Sequence, residues 1–540
     1  MIKREIKTYQ TRLSSSISSR DVNETKRIMQ NIIMQTTRGV DMSPLFADVL
    51  MGCETEDVEL KKMVYMFLCT YCDKNLELSI LCVNTFYKDC RAANPIVRGL
   101  AVRCMSNFRV ETVREHLIDE IDRLLDDRNG YVKRCALMAL GKICCEKLDL
   151  KIKSDFAEKV SKMTLDEDAS ISLDSLLILK EMNNGVVTLN RRNIQHIVSL
   201  VSRLQPIEVA EAAVLLRESS VMEYEDVESV MNSFDPYVDC LDPSAVIETI
   251  KLFLFIAEKF IKDEKYTQEI LQRASEGIDG LFNYYSSVNA QVVLEILNTI
   301  LEISKRYSFF YKDSALIIPT YNDPEEIVFV KMEIMKVNTS VERLKFVMKH
   351  FQTLMLDVSL LPIILEALVE MGCKNRESGE VVISGVVELL NRDLRKKVEL
   401  KLLSGIVKLI IYYNDISSDD VRNLAYLLKD SSEVFECDEE DLSYVLYLCG
   451  EYEECFNFEV LVDALDRFET LSSRNKDALL SATVKSFIRN KQRCSVLIKE
   501  VTKKCLDDVD IDLNLRAKFY MNVLDKHMIQ AADIVFLHSY

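Results

Sequence analysis

Apolar and polar residues follow one another along this chain with the period of an α-helix, and one such pattern returns at regular intervals. An apolar residue is followed by one or two bases, and then by an apolar stripe in which residues recur every three or four positions. The pattern occurs three times between residues 57 and 144, and a fourth, weaker copy follows. The anchoring apolar residues, which are 37, 35 and 39 positions apart, are Leu60, Val97, Val132 and Ile171.

Repeats of roughly 35–45 residues are typical of HEAT and armadillo proteins, in which each repeat is a helix pair. One pair cannot bury its apolar face alone, so neighbouring pairs stack and share a continuous core. The sequence therefore predicts an all-α, HEAT/armadillo-like α-solenoid, a curved superhelix of stacked helix pairs. Its 540 residues exceed the size at which a single core stops growing, whereas a solenoid lengthens in one dimension.

The chain has a basic beginning and an acidic remainder. Residues 1–40 contain eight Lys and Arg against three Asp and Glu, although the whole chain has a formal charge of −18. We expect residues 1–40 to form a basic segment with a first helix, which Asp21 caps and which runs through Val40. Residues 41–540 should form one continuous helical trunk. The aromatic and apolar stretch 306–324 predicts a bend within that trunk, not a linker.

The sequence offers little chemistry for catalysis. It contains no glycine-rich phosphate loop, no G-x-S-x-G and no H-E-x-x-H, and its five histidines lie far apart. Cys69 and Cys72 form a C-x-x-C pair, but no second pair completes a zinc site. The sixteen cysteines lie mostly within apolar helical stripes, which indicates buried thiols. We therefore expect no enzyme, no metal and no cofactor, and the negative charge argues against nucleic-acid binding.

Nothing in the sequence indicates export or membrane insertion. The first residues lack the order of a signal peptide. No uncharged apolar stretch reaches the ~18–20 residues that are needed to span a bilayer. Together with the reduced thiols, this predicts a cytosolic protein.

Several longer strings are more specific than the repeat pattern. In chain order they are SPLFADV at 43–49, ELKKMVY at 59–65, VNTFYKD at 83–89, NPIVRGLAVR at 94–103, YNDP at 321–324, VKME at 330–333 and GEY at 450–452. Together they resemble the N-terminal trunk of the β-type adaptins, the β large subunits of clathrin-associated adaptor complexes. The resemblance spans nearly the whole chain and is strongest over residues 41–145.

The resemblance implies a non-enzymatic large subunit of a heterotetrameric adaptor complex, which sorts transmembrane cargo into coated vesicles. The implied partners are a second large adaptin, a medium (μ-type) subunit and a small (σ-type) subunit. The implied location is cytoplasmic and peripheral, on Golgi, endosomal or plasma membranes and on coated vesicles. Relatives usually continue into a hinge with a clathrin-binding box and an appendage domain. Both are absent from this sequence, so the resemblance does not imply direct clathrin binding.

The resemblance also implies two contact surfaces. In some relatives a basic N-terminal segment touches phosphoinositides; the bases that would meet anionic lipid headgroups here are Lys3, Arg4, Lys7, Lys26 and Arg27. In others, the second and third helical layers meet a small Arf-type GTPase through apolar residues, which correspond here to Met66, Ile80 and Val83. The alternative is purely structural: the bases also fit a solvated helix, and Ile80 and Val83 also fit a buried i, i+3 stripe.

Two other functions of HEAT-like solenoids stay open at this point. An importin-β-like nuclear transport receptor would bind a Ran-type GTPase and nucleoporin repeats. A scaffold subunit of a protein phosphatase would co-purify with a metal-dependent catalytic chain. An adaptor subunit would instead co-purify with medium and small adaptor chains.

Overall fold

The computed structural model describes residues 2–390 and 439–526, together with residues 409, 531 and 535. The interruptions within these ranges are 109–110, 146–149, 187–188, 220, 262, 287, 308–309, 311–314, 339, 355–359 and 452–457. The described residues contain helices and turns and no strand. The chain divides into two units, residues 1–280 and 281–540.

The first unit begins at the N-terminus and ends within α16. Its helices are α1 (Ile2–Ser18), α2 (Val22–Thr37), α3 (Phe46–Met51), α4 (Val58–Tyr71), α5 (Leu76–Ser79), α6 (Cys82–Cys90), α7 (Pro95–Met105), α8 (Glu111–Leu124), α9 (Gly130–Cys145), α10 (Leu150–Met163), α11 (Ala169–Met182), α12 (Arg191–Leu200), α13 (Pro206–Glu218), α14 (Tyr224–Phe234), α15 (Pro243–Ile256) and α16 (Glu264–Tyr285).

The helices of the first unit pack in two layers. Helices α2, α4, α7, α9, α11, α13 and α15 form one layer, in which each helix packs on the next. Helices of the other layer, such as α3, α6, α8 and α10, pair with them. All four anchors of the repeated pattern lie in the first layer and are buried: Leu60 in α4, Val97 in α7, Val132 in α9 and Ile171 in α11. The predicted all-α solenoid of stacked helix pairs is confirmed.

The bases that follow three of the anchors join each repeat to the next one. Each base forms an ion pair with a carboxylate about 30 residues further along the chain, in the helix pair that follows. The pairs are Lys61–Asp89 at 2.6 Å, Arg98–Asp127 at 2.9 Å and Lys133–Asp166 at 3.3 Å. The apolar anchor therefore fills the core of its repeat, and the neighbouring base fixes the contact with the following repeat.

The first 40 residues form two helices, where the sequence analysis expected one. Helix α1 packs on α2 and buries Leu13. Helix α2 begins as predicted, because the Asp21 carboxylate accepts a hydrogen bond of 3.1 Å from the Glu24 N–H. It ends at Thr37 and not at Val40, since Gly39 has a φ of +84°, a left-handed conformation that continues no α-helix.

The second unit consists of helix pairs as well. Its helices are α17 (Ala290–Arg306), α18 (Glu325–Asn338), α19 (Val341–Leu354), α20 (Leu361–Gly372), α21 (Arg376–Leu390), α22 (Glu439–Glu451), α23 (Glu459–Asp466), α24 (Ser473–Arg489), α25 (Lys491–Asp507) and α26 (Ile511–Lys526). Helix α17 packs on α18, α20 on α21, α22 on α24, and α24 on α25.

Polar contacts hold the connection between α17 and α18 against α18. The Lys331 ammonium, which is buried in α18, lies 2.7 Å from the Asp323 carboxylate and 3.3 Å from the Ile318 carbonyl oxygen. Asn338 donates a hydrogen bond of 2.7 Å to the Phe310 carbonyl. The buried ion pair thus joins the YNDP string to the VKME string. The bend that the sequence predicts at 306–324 stays a prediction.

Candidate interaction surfaces

The five N-terminal bases lie on two neighbouring helices. Lys3, Arg4 and Lys7 belong to α1, whereas Lys26 and Arg27 belong to α2. Lys7 and Arg27 are exposed, and the side chains of Lys3 and Arg4 are outside the described part of the structure. The position of Lys7 and Arg27 leaves both cations accessible to an anionic partner.

Lys26 has a different environment from the other bases. Its side chain is only 19% exposed, and its ammonium lies 2.7 Å from the Glu59 carboxylate and 3.0 Å from that of Asp57. These hydrogen bonds raise the pKa of Lys26, with that to Glu59 as the largest cause. Since Asp57 is also the N-cap of α4, Lys26 joins α2 to the start of the next repeat. Its charge is balanced within the chain.

The three residues for which the resemblance predicts a GTPase contact do not share one environment. Met66 in α4 is 54% exposed, and Ile80 in the turn between α5 and α6 is 47% exposed. Val83, at 8%, belongs to the core. Ile80 and Val83 therefore do not share a buried stripe. Leu81, which is more exposed than Ile80, was missed by the sequence analysis, although its place beside Ile80 was the available signal.

A buried polar contact joins α4 to α6. The Asp89 carboxylate accepts hydrogen bonds from the Lys61 ammonium and the Tyr65 hydroxyl. Burial raises the pKa of Tyr65, so that the phenol stays protonated and donates. The Tyr65 ring packs against Phe86, with ring centroids 4.9 Å apart, and Phe86 packs against Phe108 at 5.2 Å. The contact fixes α4 against α6.

A second charged contact connects three successive repeats. The Arg134 guanidinium lies 2.7 Å from the Asp174 carboxylate and 2.5 Å from that of Glu208. Burial raises the pKa of Asp174 even though Arg134 faces it. Burial also acts on Glu208, but hydrogen bonds from the Gln205 N–H and from Arg134 outweigh it and lower the pKa of that carboxyl. The two carboxylates are buried, the Arg134 side chain is 33% exposed, and the contact holds α9, α11 and α13 together.

The last described helix, α26, is apolar on two sides. Leu513 and Ala517 are buried, while Ile511, Leu515 and Phe519 form an exposed stripe at i, i+4 and i+8. The solvent-facing side of a surface helix is usually polar, so an exposed apolar stripe of this kind is unusual. The second apolar stripe, at i, i+4 and i+8 beside the one that contains Leu513 and Ala517, was the signal that could have found it.

The cysteines show no arrangement for metal binding in the described part of the chain. No group of three or more His, Cys, Asp or Glu residues that could hold a metal occurs there. Cys72 lies in a turn after α4, where its thiol donates to the Cys69 carbonyl, and burial raises its pKa to about 11. Among the same residues, no helix is both long and apolar enough to cross a bilayer.

Comparisons with known proteins point to one family. The adaptin N-terminal region matches residues 3–528. The AP-1 complex subunit beta-1 of Mus musculus is 24% identical over 536 residues, which cover 97% of this chain and 56% of that protein. The AP-4 complex subunit beta of Dictyostelium discoideum is 28% identical over 341 residues, which cover 62% of this chain and 39% of that protein. The chain spans about half the length of its AP-1 relative.

A structural comparison gives the same fold. A chain from a homology model of the full-length AP-3 complex in an intermediate open conformation superimposes with a TM-score of 0.56 and 14% sequence identity. The match covers 96% of this chain and 93% of the other. Since the adaptin N-terminal region accounts for residues 3–528, and the helices stack in pairs over both units, the chain belongs to the adaptin N-terminal family.

Proposed function

We propose that this chain is the large, β-type subunit of a heterotetrameric adaptor complex that sorts transmembrane cargo into coated vesicles. The observation that carries the proposal is the match to the adaptin N-terminal region over residues 3–528. The names of the relatives, which are β subunits of AP-1 and AP-4 complexes, support the β-type assignment. The partners are a second large adaptin, a medium subunit and a small subunit.

This role is that of a non-enzymatic scaffold, which acts through its surfaces at the cytoplasmic side of Golgi, endosomal or plasma membranes. The exposed apolar stripe of α26 supports it, because a subunit that is covered by partners can leave such a face uncovered in the single chain. The same relatives favour the adaptor over an importin-β-like receptor and over a phosphatase scaffold.

Affinity purification of the native complex with mass spectrometry tests the assignment. We expect one second large chain, one medium chain and one small chain in equal amounts with the bait. A Ran-type GTPase with nucleoporin repeats, or a metal-dependent phosphatase chain, in place of these subunits would overturn it. The identity of the medium subunit would also establish which adaptor complex this is.

The membrane contact that we propose uses Lys3, Arg4, Lys7 and Arg27, while Lys26 mainly holds α2 against α4. Each base near an anionic surface contributes about 1 kcal/mol, so four bases give at most about 4 kcal/mol, which is roughly millimolar affinity. Attachment therefore needs a second contact, whose effect multiplies through effective concentration. An Arf-type GTPase at Met66 and Ile80 would supply it.

Liposome co-sedimentation of the assembled complex tests the lipid contact. Changing Lys3, Arg4, Lys7 and Arg27 to Glu should reduce binding to anionic vesicles, most strongly at low salt where screening is weakest. The matched control reverses four exposed bases elsewhere in the first unit, namely Lys88, Arg128, Arg192 and Arg203. Equal sedimentation of the two variants would show that total charge, and not the N-terminal surface, controls binding.

A pull-down with a GTP-loaded Arf-type protein tests the second contact. Met66→Asp and Ile80→Asp should each abolish the interaction without loss of helix content, because both side chains are exposed. Val83→Asp should instead destabilise the core, since Val83 is buried. Ile207→Asp, at another exposed apolar position, is the control. Retention of the GTPase by both surface variants would contradict the proposed contact.

A further inference from the structure

Helices α7 and α9 present an exposed surface whose chemistry differs from that of the neighbouring helices α8 and α11. Among their described side chains, those that are more than a third exposed are apolar or basic: Ile96, Arg103, Tyr131, Met138 and Lys142. The three apolar residues are each between 43% and 48% exposed. No acidic side chain is exposed on these two helices, although the chain as a whole has a formal charge of −18.

The arrangement of these residues follows from the repeat. Ile96 and Tyr131 each precede the anchor of their repeat by one position, and Arg103 and Met138 each follow it by six. Positions seven residues apart are about 10 Å apart along a helix, and packed helices lie about 8–10 Å apart. The four side chains therefore mark the corners of a surface roughly 10 Å on each side, on two helices that pack directly together.

Contacts between α7 and α9 make this surface continuous. Gly99 has no side chain, and a Cβ atom there would lie 2.4 Å from the Tyr131 ring and 3.1 Å from the Cys135 sulfur. The ring of Tyr131 thus covers the backbone of α7. Burial raises the pKa of the Cys135 thiol, and the hydrogen bond with Tyr131 and the charge of Arg103 counteract part of that shift. Arg103 therefore lies near Tyr131 and Cys135.

The opposite layer of the same repeats has an ordinary polar surface. In α8, which pairs with α9, the exposed residues among the described side chains are Glu115, His116, Asp119, Asp122 and Arg123. In α11, the next helix of the first layer, Glu181 is the exposed residue among the described side chains. The described side chains of α8 and α11 thus expose acidic groups, whereas those of α7 and α9 do not.

We infer that the α7–α9 surface, formed by Ile96, Arg103, Tyr131, Met138 and Lys142, binds an acidic amphipathic helix of a partner protein. Its width matches a single helix, whose diameter with side chains is about 10–12 Å. In helix-in-groove recognition, the bound helix packs apolar side chains at i, i+3, i+4 and i+7 against its partner. Here such side chains would pack against Ile96, Tyr131 and Met138. Acidic residues beside those anchors would pair with Arg103 and Lys142. Two bases are too few for a membrane site, which takes about four to eight.

This surface lies outside the residues of the proposed lipid and GTPase contacts, so its test is independent of them. The probe is a fluorescein-labelled peptide of about 18 residues, with Leu at helical spacing and Glu beside it. A matched peptide has Lys at every Glu position. In anisotropy titrations with the full chain, we expect the acidic peptide to bind at least about tenfold more tightly, and less so at high salt.

Variants locate the binding site. Arg103→Glu and Met138→Glu should each weaken the acidic peptide about tenfold or more, and circular dichroism should show that both remain folded. Tyr131→Ala, which adds no charge, should also weaken it. Lys88→Glu, an exposed reversal on α6, should have no effect. Equal affinity for the two peptides, or unchanged binding by all three surface variants, would overturn the inference. A chain that binds phosphatidylserine vesicles but not the acidic peptide, and that loses vesicle binding on Arg103→Glu, would also overturn it.

Discussion

The ion pair between Lys61 and Asp89 offers a sharp test of how neighbouring repeats are joined. Both side chains are less than a tenth exposed, and Asp89 also accepts a hydrogen bond from the Tyr65 hydroxyl. Asp89→Ala removes the acceptor of both groups and leaves the Lys61 ammonium buried without its carboxylate. Breaking one side of a buried ion pair costs about 3–5 kcal/mol. We expect a destabilisation of that size in α4 and α6.

The measurement has to be local, because a solenoid of this length need not unfold in one step. Hydrogen–deuterium exchange of the full chain resolves α4 and α6 from the later helices. Since 1.4 kcal/mol corresponds to a factor of ten, about 3 kcal/mol should raise the exchange of protected amides in α4 and α6 by about a hundredfold or more. Helices α22 to α26 should exchange as in the wild type.

Two further variants separate the ion pair from general damage. Lys61→Met with Asp89→Asn removes both charges, while the new amide oxygen would still accept the hydrogen bond from the Tyr65 hydroxyl, and it should be much less destabilising than Asp89→Ala. Asp126→Ala removes an exposed partner of Lys159 and should cost at most about 1 kcal/mol. The reasoning is refuted if Asp89→Ala exchanges like the wild type, or if the double variant is as unstable as Asp89→Ala.

Three other predictions follow from close packing, charge and exposed surface. Gly450→Ala would place a Cβ 2.6 Å from the Ala482 Cα and should lower the thermal unfolding temperature, whereas Gly280→Ala, with nothing within 4 Å, should leave it unchanged or raise it. The pKa of Asp174 is raised in the folded state, so its protonation favours folding at low pH and this contribution is lost as the pH rises through the folded pKa. Asp174→Asn should flatten the pH dependence of thermal unfolding above about pH 4, and an unchanged dependence would contradict the role of burial. Concentrated samples of the isolated chain should aggregate, whereas dilute samples stay monomeric, because α26 exposes an apolar stripe. Size-exclusion chromatography with light scattering measures this, and a monodisperse monomer at high concentration would contradict it.

The period of the apolar residues was enough to predict the fold. Leu60, Val97, Val132 and Ile171 were placed in equivalent positions from spacing alone, and all four are buried in one layer of helices. This works because the stack is built from local units, so each repeat carries its own pattern of buried and exposed positions. The cap at Asp21 could be predicted for the same reason, since the carboxylate and the N–H that it accepts from belong to one turn of helix.

The use of individual side chains depended on helices that are distant in sequence. Lys26 looked like the other N-terminal bases, but Asp57 and Glu59 balance its charge from more than 30 residues away. Ile80 and Val83 both fitted a buried stripe, yet a turn before α6 leaves Ile80 exposed and Val83 in the core. A periodic pattern states that one side of a helix is covered. Packing between repeats decides which neighbouring helix covers that side and which charge the neighbour neutralises. It places the Lys26 ammonium within 3 Å of the Asp57 and Glu59 carboxylates.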